Sequence, residues 1–452
     1  MNANDFINDR KKQLEDLAEF GIEYGKKLGA DAVKVVTSAG MERRLVVENK
    51  EFTLANTLET LSLGFGVHHD NKKGSTSINI ATRDAVKAAI ENAMKLAKFS
   101  VPDEYLTLST LDQAPKATNL DFLYNESLAD LDFGQLQEYM QTMIGQLSSD
   151  PRVALDRSEI SLNISYHGLA NSNGVKQDLC QSAANWWFMG MGRDGDQVTG
   201  MDYDGNFAFD KDDILPKMTQ QTDQFVKKIL NLFNPIQPPS YKGTVALSPR
   251  AVSELLLGTI LFHTSGRQIM DGRSQWKDSI GKLVANENFT LTDNPHDRRL
   301  HGATGWDSDG LPTSARPIIE KGVLKMHLMD CYSAKKLNTS ANGMAGGPYG
   351  LSVEAGNTPI ADLLKDKDSI LVVDRFSGNS DPLKGDFSGV AKASHLFQNG
   401  EDKGSVTETL IAGNIFAMLK DSMIASKETE IPGGGHIAPY IIVDGVSVSG
   451  NS

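Results

Sequence analysis

The chain has 452 residues, 40% of them hydrophobic and 23% charged, which is ordinary soluble globular usage and excludes a disordered or fibrous protein. Its net charge of −13 gives no electrostatic footprint for a phosphate backbone or an anionic bilayer, so neither nucleic acid nor membrane is expected as a partner. Two cysteines, Cys180 and Cys331, are too few for a disulfide scaffold or a thiolate metal cluster. No stretch approaches the roughly 20 apolar residues that span a bilayer, and the first ten residues lack an apolar signal core. The expected location is the cytoplasm.

At roughly 150 residues per domain, this length implies two or three compact units. Phe6, Leu14, Leu17, Phe20 and Tyr24 recur at helical spacing and predict a first helix that stops near Gly29. From Ala32 to Ile80 apolar residues alternate, as in half-buried strands, with turns at Asn49-Lys50 and over 70–74. Val86, Ile90 and Met94 place a second helix after them. The order then recurs: a helix over 133–147, strands over 153–166 and 175–191 around a turn at 171–174, and a helix over 213–233. This repeat of helix, meander and helix reads as an internal duplication.

Three prolines between Asn234 and Ser240 forbid a continuing helix and predict a connector between two domains, 1–234 and 240–452. Beyond it, Ser248-Pro249 is a helix start, with serine at the N-cap and proline at the first helical position. That helix is predicted to run through Val252, Leu256, Ile260 and Phe262. From Val284 onward the pattern is strands and glycine-rich turns, with one late helix near 414–422. The fold class is therefore α+β, a helix and β-meander domain followed by a β-rich one.

Nothing reads as a nucleotide site: Gly64-Phe-Gly66 and Gly190-Met-Gly192 lie inside strand patterns, and there is no Walker lysine. No Gly-x-Ser-x-Gly elbow is present either. Of nine histidines, His68-His69-Asp70 is the densest cluster, and on a strand His68 and Asp70 would share a face. The plainer reading is a polar strand end entering a turn, and His296 likewise sits in turn-forming sequence. In Trp186-Trp187-Phe188 neighbours face opposite ways, so Trp186 or Trp187 fills a core. The segment Phe262-His-Thr-Ser-Gly-Arg267 is informative through what it lacks. A zinc peptidase helix needs two histidines and a glutamate to polarise bound water, and no His-Glu pair occurs in the chain.

Several C-terminal motifs occur in sequence order: Asp278-Ser-Ile-Gly-Lys282, Asp293-Asn-Pro-His296, Asp307-Ser-Asp-Gly310, Lys321-Gly-Val-Leu324 and Tyr332-Ser-Ala-Lys-Lys-Leu337. Ser377-Gly-Asn-Ser380, Gly385-Asp-Phe-Ser-Gly389, Asn399-Gly400 and the run 406–414 complete the set. In these the chain resembles the TldD/PmbA family, the so-called modulators of DNA gyrase, and within it the PmbA (TldE) branch. The resemblance implies a two-domain, dimerising protein of a zinc-peptidase family. In the TldD branch a helix carries His-Glu-x-x-x-His and a late cysteine completes the site. Aligning Gly266 with the glycine before the second histidine puts Phe262, His263 and Arg267 in the motif positions, and Ile431-Pro-Gly-Gly-Gly-His436 where the cysteine belongs.

On that alignment the zinc slot is degenerate. No catalytic residue and no metal are expected in this chain, and zinc is expected in a TldD-type partner. Phe262, His263, Gly266 and Arg267 should line one cleft with Gly434 and His436. The function implied is a non-catalytic subunit of a cytoplasmic metallopeptidase that degrades peptides or unfolded chains, with an extended substrate held on a sheet edge of the C-terminal half. The alternatives are a homodimeric scaffold without a peptidase partner, or a hydrolase using His263, His296 or His436.

Overall fold

The structure is a computed structural model that describes residues 3–407 and 409–450. Met1 and Asn2 of the leader reading, and Glu408 of the 406–414 motif, lie outside the described residues. In the N-terminal unit, helix α1 (Ala3–Lys27) leads into the strands β1 (Ala32–Glu48), β2 (Glu51–His69) and β3 (Lys72–Ile78), then α2 (Arg83–Phe99). The order repeats as α3 (Phe133–Leu147), β4 (Val153–Asn171), β5 (Lys176–Asp194), β6 (Asp202–Ala208) and α4 (Lys211–Leu230). The strands form one antiparallel sheet in the order β3-β2-β1-β4-β5, with β6 on the far side of β5. β1 pairs antiparallel with β4 from Lys34↔Asn171 to Glu48↔Arg157, so the two halves meet through their first strands.

Alternation decides which face is covered. Val33, Val35, Leu63, Phe65 and Val67 point toward Leu14 and Leu17 of α1 and Val86, Ile90 and Ala93 of α2. Each such side chain contributes about 1.5–3 kcal/mol by burial. β3 lies so close to α2 that a Cβ on Gly74 would sit 1.9 Å from the Ala93 carbonyl, which is why a glycine stands there. Trp186 fills the core of the second half and donates its indole N–H to Gln221 at 2.8 Å. The opposite face is polar, with Asn163, Ser165, Gln181 and Asn185. Beyond β3 the outer edge of β2 has no strand neighbour among the described residues, and Phe52, Leu54 and Leu58 stand exposed on it.

After the connector, where Asn234 adopts φ +51° and Ile236 bridges to Val406, β7 (Tyr241–Leu247) enters a second sheet. It runs parallel to Ile370–Val373 and antiparallel to His436–Ser449. The two main cores draw on residues 6–229 and 245–448 respectively. Two smaller apolar clusters join the units, one around Leu169, Val175 and Leu311 and one around Phe207, Phe209 and Ala303. Between them lies a buried ion cluster. Asp202 of β6 meets Lys228 at 2.5 Å, Arg250 at 3.6 Å and Arg375 at 3.6 Å, while Lys228 also reaches Asp374 at 2.5 Å. The domain arrangement is thus held by charges from both sides as well as by apolar area. No described helix is long and apolar enough to cross a membrane.

Candidate functional site

The helical run 249–270 lies against the second sheet. Ser248 caps it, accepting the Ala251 N–H at 3.1 Å, with Pro249 in the first turn as expected. The run is not one regular helix. Ser253–Leu257 forms a π-helical turn, and the helix Gly258–Thr264 ends at Ser265, whose ψ of 126° breaks it before Gly266–Met270. Within the π turn Glu254 pairs with Arg250 at 3.4 Å and accepts the Phe376 N–H at 2.6 Å, tying the run to the strand Arg375–Ser380. Wide turns of this kind are frequent at functional positions, and the apolar periodicity of 252–262 carries no sign of one.

His263 is 0% exposed, among Phe262, Trp276 and Phe416. Its Nδ1 accepts the Gln275 N–H at 3.0 Å, so the proton is on Nε2, which donates to the Pro382 carbonyl at 2.9 Å. Burial holds its pKa below the usual histidine value, keeping the ring neutral. With both nitrogens engaged, this imidazole has no lone pair to offer a metal.

The expected common cleft is not formed. Arg267 lies beyond the break at Ser265, pairs with Asp271 at 3.2 Å, and opens on a different cavity, with Lys34, His68, Asp103 and Tyr332. Gly266 is packed tightly against the segment 328–333. Its Cβ position is closed by Ser333, Met329 and the Leu328 carbonyl at 2.7–2.9 Å, and its N–H donates to that carbonyl. His436 is buried at the other end of the run, donating Nε2–H to the Pro249 carbonyl at 3.1 Å. Fourteen helical residues separate Pro249 from His263, about 20 Å. Gly434, at φ +73°, presses on the Phe207 ring of β6, and its carbonyl accepts the His301 N–H.

The other histidine readings also resolve into local structure. β2 ends at His69 and Asp70 turns with φ +51°, so Asp70 gathers with His69 and Asp31 rather than with His68. These three, on the N-terminal unit, are the one metal-sized His/Asp group among the described residues. His296 meets the Thr313 hydroxyl at 3.1 Å. Several motif carboxylates act as turn builders. Asp307 accepts the N–H groups of Asp309, Leu311 and Ala345, and Asp293 those of Tyr349 and Gly350. Burial pushes the Asp307 carboxyl up to about 6.

A further open feature is a groove between the polar face of the N-terminal sheet and the loop carrying His301. It encloses about 470 Å³ and is lined by Glu42, Thr60, Asn163, Gln181, Asn185 and His301 among others. Side-chain amides and hydroxyls there offer donors and acceptors to a polar chain.

This is a two-domain α+β protein whose C-terminal half, residues 240–450, matches the family described as the PmbA/TldA metallopeptidase C-terminal domain. Over its full length it resembles the Metalloprotease PmbA homolog of Haemophilus influenzae, 28% identical, the match covering 100% of this chain and 99% of that protein. Metalloprotease PmbA of Escherichia coli O157:H7 is 25% identical over 94% of this chain and 93% of that protein. The crystal structure of TldE from Thermococcus kodakarensis shares the fold, at 23% identity and a TM-score of 0.85, covering 97% of this chain and 100% of that one. In its C-terminal domain and in these full-length relatives, the chain is similar to the TldD/PmbA family.

Proposed function

We propose that this chain is the PmbA/TldE-like, non-catalytic subunit of a TldD/TldE-type zinc metallopeptidase acting on peptides or unfolded chains. The observation that carries the reading is His263: the one histidine of the slot segment is spent on two backbone groups inside an aromatic pocket. Zinc needs three or four ligands with free lone pairs, and this segment supplies none. The chain's part is then to complete the complex and to hold an extended substrate. The polar groove beside His301 and the open edge of β2 suit that work, since an extended peptide adds to an unpaired strand through its backbone. This edge is on the N-terminal sheet, whereas the sequence pointed to the C-terminal half. Co-expression with a TldD-type protein tests the reading. A stable complex that cleaves unfolded casein and loses activity to a chelator, with neither property in this chain alone, is the expected result.

A further inference from the structure

The cavity on which Arg267 opens encloses about 650 Å³, between β1, β2 and β3 on one side and residues 103–108, 309 and 330–332 on the other. Two glycines in the interior of β2, Gly64 and Gly66, form part of its floor. The fold requires neither of them. Their φ angles lie outside the left-handed region, and a Cβ would come no nearer than 3.9 Å to another atom at Gly64 and 4.0 Å at Gly66. Gly74, on the neighbouring strand, is by contrast closed to any side chain. A glycine inside a strand forgoes packing and weakens it, and where no neighbour demands one it marks the close approach of a ligand or a second backbone. Two residues on, His68 stands on the same face. It is 9% exposed and lines the cavity, and neither ring nitrogen has a hydrogen-bond partner among the described residues.

The charges of the lining favour no ionic ligand. Lys34, Lys73 and Arg267 stand against Asp103, Asp309 and Asp330, so neither sign prevails. The three carboxylates are also engaged locally, Asp309 with Lys34 at 3.2 Å, Asp103 with the Tyr332 hydroxyl at 2.6 Å, and Asp330 with the Ser333 N–H at 2.6 Å. The His68 ring and the Lys73 ammonium are left without partners among the described residues. Burial, together with the cations Lys73, Lys335 and Lys34 and against the pull of Asp31, holds the His68 pKa below the usual histidine value. A neutral imidazole presents one N–H and one lone pair. A peptide group answers both, since its N–H donates to the ring and its carbonyl accepts from the ring or from the ammonium, and it brings no charge. We propose that this cavity is a subsite for the main chain of an extended, uncharged peptide segment, lying over Gly64 and Gly66 with its peptide groups on His68 and Lys73. The subsite rests on the substrate-holding role proposed above and places a stretch of that substrate. The same sheet face continues through the Ser38↔Ser62 and Gly40↔Thr60 pairs to the groove beside His301, so one surface carries both.

Calorimetric titration of the full chain, with neither partner nor zinc present, tests it. The probes are an alanine–glycine pentapeptide blocked at both ends, the same peptide as a free acid, and the blocked peptide N-methylated at alternate residues. The blocked peptide and the acid should bind alike, within about threefold, and N-methylation should weaken binding about tenfold or more by deleting main-chain donors. His68→Leu should lose about as much, and His68→Gln should recover part of it, since an amide also carries a donor and an acceptor. The double change Gly64→Val and Gly66→Val should fill the floor and abolish binding with the melting temperature unchanged or raised, because valine suits a strand and both sites have room. Equal binding of the N-methylated peptide, an acid bound tenfold tighter than the blocked peptide, no binding at millimolar concentration, or unchanged binding in the double valine protein would overturn the proposal. None of these readouts involves a TldD-type partner, so failure here is distinct from failure to form an active complex.

Discussion

Replacing His263 by alanine separates a structural histidine from a vestigial ligand. The substitution removes a ring packed against Phe262, Trp276 and Phe416, and large-to-small changes at such sites cost about 2–5 kcal/mol. It also strips partners from the Gln275 N–H and the Pro382 carbonyl, each about 1–3 kcal/mol if left dry. Allowing for some collapse and hydration, the net loss should be about 3–6 kcal/mol. In a domain of this size that lowers the melting temperature by about 6–24 °C. Asparagine can place an oxygen near the Nδ1 position, keep the Gln275 bond, and recover about 1 kcal/mol. Urea denaturation followed by circular dichroism reads all three proteins. A His263→Ala protein within about 0.5 kcal/mol of the parent would refute the reasoning.

Three further outcomes follow from the same geometry. Burial lowers the pKa of His263 and His436, so both rings should titrate below 6.5 by imidazole NMR; a midpoint at or above 6.5 contradicts their placement. The unfolded chain takes up protons first, so their stabilisation is complete above pH 6.5 and is lost as the pH falls toward the lowered folded values. Lys228→Met leaves Asp202 and Asp374 without their shared cation and should cost about 3–5 kcal/mol, seen as faster proteolysis at the 234–240 connector; unchanged cleavage would argue against a charge-held junction. The combined change Phe262→His, His263→Glu and Arg267→His should bind no zinc by equilibrium dialysis, because Arg267 opens on a different cavity; tight binding would restore the alignment.

Much of the N-terminal unit was legible because local rules act there without competition. Period-two alternation over 32–80, turn residues at Asn49-Lys50, and the apolar stripe of Val86, Ile90 and Met94 correspond to β1, β2, β3 and α2. The Ser248 cap was legible for the same reason. The slot was not. A helix-periodic run such as 252–262 looks alike whether it continues, widens into a π turn, or breaks at Ser265, because those choices depend on Glu254 meeting Phe376 and on Leu328 meeting Gly266. The partners are far away in sequence. Asp70 moved to His69's side for a local reason, a left-handed turn residue that ended the strand one position early. The junction cluster was invisible because its members, Asp202, Lys228, Arg250 and Arg375, lie on four separate elements.

The central claim is that this chain supplies no zinc chemistry of its own. Elemental analysis of the pure chain, alongside a peptide-cleavage assay with and without chelator, tests it most directly. Far less than one zinc per chain, and no chelator-sensitive cleavage until a TldD-type partner is added, is the predicted result. About one tightly held zinc per chain, with cleavage that the chelator abolishes in the absence of any partner, would contradict it.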